Sequence, residues 1–341
     1  MWPVGLIYGV IGLIRRRIRK HRYQPEIPTI CVGNLAVGGS GKTPAIEYLV
    51  RLMKDSHQVA TLSRGYKRAT EGFLSSLQEE VNAETFGDEP TQIHQKFPDI
   101  EVAVCESRVE GVKRMLATPN APTLILLDDA YQHIATKSAV NLILTDYAKP
   151  YTEDFPLPAG HLREFPCAAR EADAIVVTKC PPTLTRQEAN AIQQKLNVSA
   201  QQQCFFSAIK YEEPRPVTEL AERTPLNSDT TILLVTGIAN PKPLYEKMSE
   251  RFSHIIPIQF TDHHNFSKKE LESLRQKVAE SKHPCAVMTT EKDWWRMQRE
   301  DTAAEVSELP VFVVGIEMEF LLGGGEPFGR WLEERIKKTG P

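Results

Sequence analysis

The sequence predicts an α/β fold built on a doubly wound parallel sheet, followed by a second, smaller α/β unit, on three observations. Short, continuously apolar runs alternate with stretches of helical periodicity, the pattern of parallel strands covered on both faces. A glycine-rich turn, Gly38-Gly39-Ser40-Gly41, lies between an apolar strand and an amphipathic helix. A fresh series of apolar strands begins at Thr231, after a polar stretch carrying Glu213-Pro214-Arg215-Pro216.

Taken in order, residues 1–14 are almost wholly apolar and Arg15-Arg16-Arg17-Ile18-Arg19-Lys20-His21-Arg22 follows directly. A secretory signal has the reverse order, basic before apolar. As a helix the apolar run reaches only about 21 Å, short of a hydrocarbon core of roughly 30 Å. Residues 1–24 therefore predict a monotopic helix with its apolar side chains in one leaflet and its arginines at lipid phosphates. The positive-inside bias favours the cytoplasmic face. The alternative for the same segment is a helix packed on the domain with a solvated basic end.

Pro25 and Pro28 then punctuate the chain before the strand Ile30-Cys31-Val32. From Pro44 onward, Ile46, Leu49, Val50, Leu52 and Met53 recur at helical spacing. Strands at 59–62, 101–104, 123–127, 141–145 and 174–178 complete a core spanning 25–204. Residues 205–222 read as a linker, and 223–341 as the second unit. Its strands fall at 231–236, 254–259, 285–289 and 311–315, and its helices at 243–251 and 268–279.

With 341 residues, 41% hydrophobic, and a net charge of −3, the chain has no global attraction for polyanions, so no nucleic-acid partner is expected. Its six cysteines form no C-x-x-C pair, which argues against a zinc site or a disulfide framework and for a reducing compartment.

Ala36-Val37-Gly38-Gly39-Ser40-Gly41-Lys42-Thr43 fits the phosphate-binding pattern G-x-x-x-x-G-K-[ST] except that Ala36 replaces the first glycine. Consecutive N–H groups and the positive end of the following helix make an anion nest for the phosphates of ATP. Lys42 would reach the β/γ oxygens and the Thr43 hydroxyl would bind Mg²⁺. The strand 123–127 ends in Asp128-Asp129, where a P-loop protein places its Mg²⁺-shell carboxylate. On a strand end the two acids face opposite sides, one for the metal shell and one for substrate or a base. Tyr131, Gln132 and His133 follow in the same mouth, with Gln132 a candidate substrate contact. Asp88, in a Gly/Pro turn, and Asp262-His263-His264, after a strand of the second unit, could each supply a base for a hydroxyl acceptor. Arg64 and Arg163 add planar forks suited to phosphate or substrate contact.

Together these segments resemble the tetraacyldisaccharide 4'-kinase family. The motifs stand in family order: Val32-Gly33-Asn34-Leu35 with the P-loop, Leu62-Ser63-Arg64-Gly65-Tyr66, Gly87-Asp88-Glu89-Pro90, Asp128-Asp129-Ala130-Tyr131-Gln132-His133, Leu157-Pro158-Ala159-Gly160 with Leu162-Arg163-Glu164, Asp262-His263-His264, and Thr289-Thr290-Glu291-Lys292-Asp293. Ala130 stands where the pattern has Gly, and His161 where it has Pro. The resemblance implies transfer of the ATP γ-phosphate to the 4'-hydroxyl of an acylated glucosamine disaccharide 1-phosphate, at the cytoplasmic face of a bacterial inner membrane. It also implies Asp88 as general base, His263 as its charge-tuning partner, Asp128 and Asp129 as Mg²⁺ and active-site acids, and two α/β/α units joined by a short β linker.

A membrane-associated ATPase switch of the partitioning type would share the glycine-rich loop and a membrane helix, but its signature lysine falls on Val37. A GTPase would need Asp after Thr178-Lys179, where Cys180-Pro181 stands. A nucleotide-binding scaffold without turnover would have no need of Lys42, Thr43, Asp88 and Asp128 together.

Overall fold

The computed structural model describes residues 2–18, 22–262, 264–299 and 301–339. The chain forms two compact units, Met1–Ile209 with Met318–Pro341, and Lys210–Glu317.

Eight strands of the first unit are β1 (Thr29–Asn34), β2 (Val59–Ser63), β3 (Leu74–Ser75), β4 (Glu101–Val104), β5 (Leu124–Asp128), β6 (Val140–Asp146), β7 (Ala174–Thr178) and β8 (Gln203–Tyr211). With Ile316–Phe320 beside β8 at one edge, they form a nine-stranded sheet in the order (316–320)-β8-β7-β6-β1-β5-β2-β4-β3. Pairing is parallel from β8 through β4, and β3 is antiparallel at the other edge. The strand order runs outward in both directions from β1, so the crevice beyond its carboxyl end is the expected ligand position in a doubly wound sheet.

Alternation along β1 explains why its residues are apolar without interruption. Cys31 packs with Leu62, Leu127, Ile143 and Val177 on one face. Ile30 and Val32 pack on the other face with Leu126, Leu142 and helix α2 (Lys42–Met53), through Ile46, Leu49 and Val50. The same face receives the C-terminal helix Gly325–Thr339 through Phe328, Leu332 and Ile336, a stripe at fourfold spacing. Phe205, Phe320, Phe328 and Trp331 pack edge-on and tilted around its start. The sequence predicts a first unit that ends at 204 and a second that runs to 341. Burial of Phe205 and Phe206 in the two cores of the large sheet, and of that C-terminal stripe on one of them, instead keeps 205–209 and 318–341 with the first unit.

The second unit holds a five-stranded sheet, ordered (254–259)-(231–236)-(285–290)-(311–314)-(215–216), parallel except for the last pair. Its helices include Lys242–Ser249 and Lys268–Ala279, the latter starting in a capping box of Ser267 and Glu270. Asp293, fully buried, accepts from the Gly237 N–H and the Thr290 hydroxyl and pairs with Arg296 at 3.2 Å. The Thr-Thr-Glu-Lys-Asp segment is thus the brace between a strand end and a helix start within this unit.

Helix α1 (Trp2–Ile18) belongs to the first unit. Gly5, Gly9, Gly12 and Arg16 fall on one face at helical spacing. A Cβ on Gly5 would crowd the Pro156 carbonyl at 2.9 Å, and one on Gly9 would overlap the Phe165 ring. The opposite side leaves Val10, Ile11, Leu13, Ile14 and Ile18 exposed. Among the described residues no helix is long and apolar enough to cross a membrane.

Candidate active site

The carboxyl edge of the large sheet gathers the polar side chains. Parallel pairing of Val32 with Asp128 and of Leu62 with Leu127 brings the ends of β1, β2 and β5 level. The P-loop leaves β1 at Asn34 and enters α2 through Gly41, which adopts φ 84° in the left-handed region; Gly38 does so at φ 113°. A Cβ on Gly38 or Gly39 would meet nothing within 4 Å, so this side of the turn is an open cradle. Residues 35–37 are braced by 161–163: the Val37 N–H donates to the His161 carbonyl at 2.8 Å and the Arg163 N–H to the Leu35 carbonyl at 2.6 Å. From below, the Thr178 hydroxyl donates to the Ser40 carbonyl at 2.9 Å, and Lys179 bridges the Gly39 carbonyl and Asp146.

Lys42, the first residue of α2, points its ammonium back across the loop to Asn34 Oδ1 at 3.4 Å and Asp129 Oδ1 at 3.7 Å. Arg163 donates to both Asp129 oxygens at 3.0 Å. Burial would raise the Asp129 carboxyl, but Lys42 and Arg163 outweigh it and hold the group below the ordinary carboxylate range.

Its neighbour Asp128 has the opposite environment. It is 5% exposed at the end of β5, and its Oδ1 has no hydrogen-bond partner. Burial first, then Glu89 and Asp129, push its carboxyl up to about 7, against the pull of Lys42 and Arg108. Thr43, also buried, sits in the first turn of α2. An orphaned buried carboxylate oxygen, a hydroxyl and an anion cradle fit Mg²⁺, which takes few protein ligands alongside nucleotide phosphates. Among the described residues no cluster of three His, Cys, Asp or Glu forms a self-sufficient metal cage.

Asp88 opens helix α3 (Asp88–Lys96), after Gly87 at φ 93°. Asp88 and Glu89 together suit the positive end of that helix. The charge of Glu89 on this helix start contributes to raising the Asp128 carboxyl. Gln132 donates to the Asn34 carbonyl at 2.8 Å and accepts from Arg163 at 3.4 Å. Gln132 and Arg163, the candidate substrate contacts, are thus bonded to the residue that opens the P-loop and to Asp129. Arg64 is exposed past the end of β2 and lines a different cavity of about 600 Å³ with Tyr66, Lys67, Arg68 and Glu106. His263 lies outside the described residues. Its neighbour His264 stacks on Phe260 and pairs with Glu270 at 3.1 Å.

Two arginines make buried contacts that the sequence did not foretell. Arg108, 1% exposed, donates to the carbonyls of Cys105 at 2.8 Å and Asp128 at 2.9 Å, tying the ends of β4 and β5. Its signal was a cation as the first residue of helix Arg108–Leu116, an end that disfavours positive charge. Arg16 was assigned to lipid phosphates, yet it is buried and donates to Glu164 at 3.0 and 2.6 Å, to Glu171 at 2.9 Å and to the Tyr131 carbonyl at 3.2 Å. The glycines spaced with it at 5, 9 and 12 carried the signal of a docked helix face.

A family model described as tetraacyldisaccharide-1-P 4'-kinase matches residues 1–337. A tetraacyldisaccharide 4'-kinase from Flavobacterium johnsoniae is 41% identical over 316 residues, covering 91% of each chain. Another of that name, from Bacteroides fragilis, is 38% identical and covers 99% of this chain and 93% of its own. The crystal structure of "apo" form LpxK from Aquifex aeolicus in complex with ATP matches with a TM-score of 0.71 over 98% of both chains; at 23% identity it supports the P-loop kinase fold. A match running through residues 1–337, with relatives this similar over nine-tenths or more of the chain, gives one assignment: the chain belongs to the tetraacyldisaccharide-1-P 4'-kinase family.

Proposed function

We propose that the protein transfers the γ-phosphate of ATP to the 4'-hydroxyl of a tetraacyl glucosamine disaccharide 1-phosphate, the lipid A precursor step. The observation that carries this reading is the pairing of two adjacent acids in contrasting environments beside a P-loop lysine. Asp129 is held ionised by Lys42 and Arg163, and Asp128 is buried with a free oxygen and a raised affinity for a proton.

In this reading the N–H groups of residues 38–43 and the amine of Lys42 receive the phosphates, Lys42 leaving Asn34 for the β/γ oxygens. Thr43 and Asp128 would hold Mg²⁺, which supplies charge neutralisation at those oxygens when bound. Asp129 and Arg163 fix the reach of Lys42, and Arg108 fixes the strand end that carries both acids. Asp88 takes the proton of the 4'-hydroxyl as that oxygen bonds to the γ-phosphorus. The bond from phosphorus to the bridging oxygen breaks, and ADP leaves with the electron pair. Arg64, with Lys67 in the adjacent cavity, is a candidate contact for the acceptor.

Exposed Val10, Ile11, Ile14 and Ile18 on α1 support peripheral attachment to the cytoplasmic face of the inner membrane, where an acylated acceptor resides. The partitioning ATPase is not favoured, since the family match covers the P-loop together with the rest of the chain. The test is the product. Incubation with MgATP and the tetraacyl acceptor should yield a lipid with one new phosphomonoester on the 4' oxygen, located by phosphorus–proton correlation; a phosphate elsewhere, or none, rejects the assignment.

A further inference from the structure

Helix α1 and the P-loop are joined by one short segment. Helix α1 lies along residues 156–165 through its glycine face. That segment carries the backbone bonds to residues 35 and 37 of the P-loop, and it carries Arg163. At the far end of the face, the Arg16 guanidinium grips Glu164 with two hydrogen bonds and caps the Tyr131 carbonyl, while stacking 4.6 Å from the Tyr131 ring. Glu164 adjoins Arg163, which holds Asp129; Tyr131 lies between Asp129 and Gln132. One buried side chain therefore fixes both strands of polypeptide that set the position of Asp129 and Lys42.

We propose that Arg16 is a positioning residue for phosphoryl transfer: from helix α1 it fixes Glu164 and the Tyr131 carbonyl, and through them Arg163, Asp129 and Lys42. An anchor needs only the exposed apolar side of α1 and basic residues at its end. A buried arginine with a bidentate carboxylate, turned away from that side, serves the site instead. The consequence is that α1 acts on turnover as well as on location: releasing its inner face loosens the phosphate site even where no membrane binding is required. This rests on the kinase reading of the same site.

The test uses the full chain in detergent micelles, where recruitment to a bilayer does not limit the rate. Arg16→Lys keeps charge and stem but loses the planar fork. It should lower kcat by about 10- to 100-fold, as expected when reacting groups shift by about an ångström, with KM for the acceptor changed little. Glu164→Gln should do the same. In an Arg163→Met background, Arg16→Met should cost less than about twofold more, because residues acting through one another are not additive.

An unchanged kcat in Arg16→Lys and Glu164→Gln overturns the proposal, as does a loss confined to the acceptor KM. Full multiplicative losses in the Arg163→Met background overturn it too. Should Arg16→Met not fold, the other two variants carry the result. Absence of transfer by the wild-type chain overturns the kinase reading and this one with it; normal transfer by wild type and Arg16→Lys alike overturns this one alone.

Discussion

Asp128→Asn should trade activity for stability, and the size of the gain follows from the environment of the carboxyl. Burial and the charges of Glu89 and Asp129 push it from 3.8 up to about 7. Between those two values the folded protein keeps a proton that the unfolded chain has released. The contribution to stability is therefore complete below pH 3.8 and lost as the pH rises through 7. At ~1.4 kcal/mol for each tenfold change in the ionisation constant, the whole penalty is about 4 kcal/mol at high pH, and about 2 to 3 kcal/mol accrues between pH 5 and pH 8.

Asparagine has the same shape and does not titrate. Urea unfolding of both proteins without nucleotide or metal, at pH 5, 6, 7 and 8, should show the variant gaining about 2 to 3 kcal/mol on wild type across that range. In melting temperature this is roughly 5–10 °C. Added divalent cation should flatten the wild-type curve and leave the variant unmoved, and kinase turnover should fall sharply. Parallel stability curves for the two proteins would refute the buried, ionisation-resistant carboxylate on which the metal assignment depends.

Other outcomes follow from named contacts. Asp88→Asn should keep its affinity for ATP while kcat falls by about 10²- to 10⁴-fold, the usual worth of a general base, as checked by calorimetric titration beside steady-state kinetics. Ile11→Glu with Ile14→Glu should reduce recovery with anionic vesicles in flotation while leaving kcat in detergent within about twofold, since both side chains face outward. Gly9→Ala places a methyl on the Phe165 ring and should cost about 1–3 kcal/mol in urea unfolding, the range for overpacking.

Six of the nine strands of the large sheet were legible because they are short, mostly apolar runs, several with helical periodicity beside them; Leu74–Ser75 is too short to carry a pattern, and Gln203–Tyr211 and Ile316–Phe320 carry polar residues at one end of the sheet. The P-loop was legible because its glycines and Lys42-Thr43 fall between such a run and a helix. Asp128 and Asp129 followed from their place at a strand end, and in the fold their environments shift the two carboxyls in opposite directions. What the sequence did not yield depends on contacts distant along the chain. Arg163 and Gln132 read as candidate substrate contacts, and their bonds to Asp129 and Asn34 join residues more than thirty and nearly a hundred positions apart. The strand Ile316–Phe320 and the helix Gly325–Thr339 follow the second unit in sequence, and it is pairing beside β8 and the stripe of Phe328, Leu332 and Ile336 against the large sheet that return them to the first. Arg16 sat inside a basic run that suits lipid, and its burial arises from Glu164, 148 residues on.

The central claim, that this P-loop serves an acylated sugar acceptor, is tested most directly by ADP release measured with and without the tetraacyldisaccharide 1-phosphate in detergent. The account predicts ADP formation that depends on the acceptor and matches the phosphorylated lipid formed mole for mole. Steady ADP release without acceptor, unchanged when acceptor is added, would contradict it.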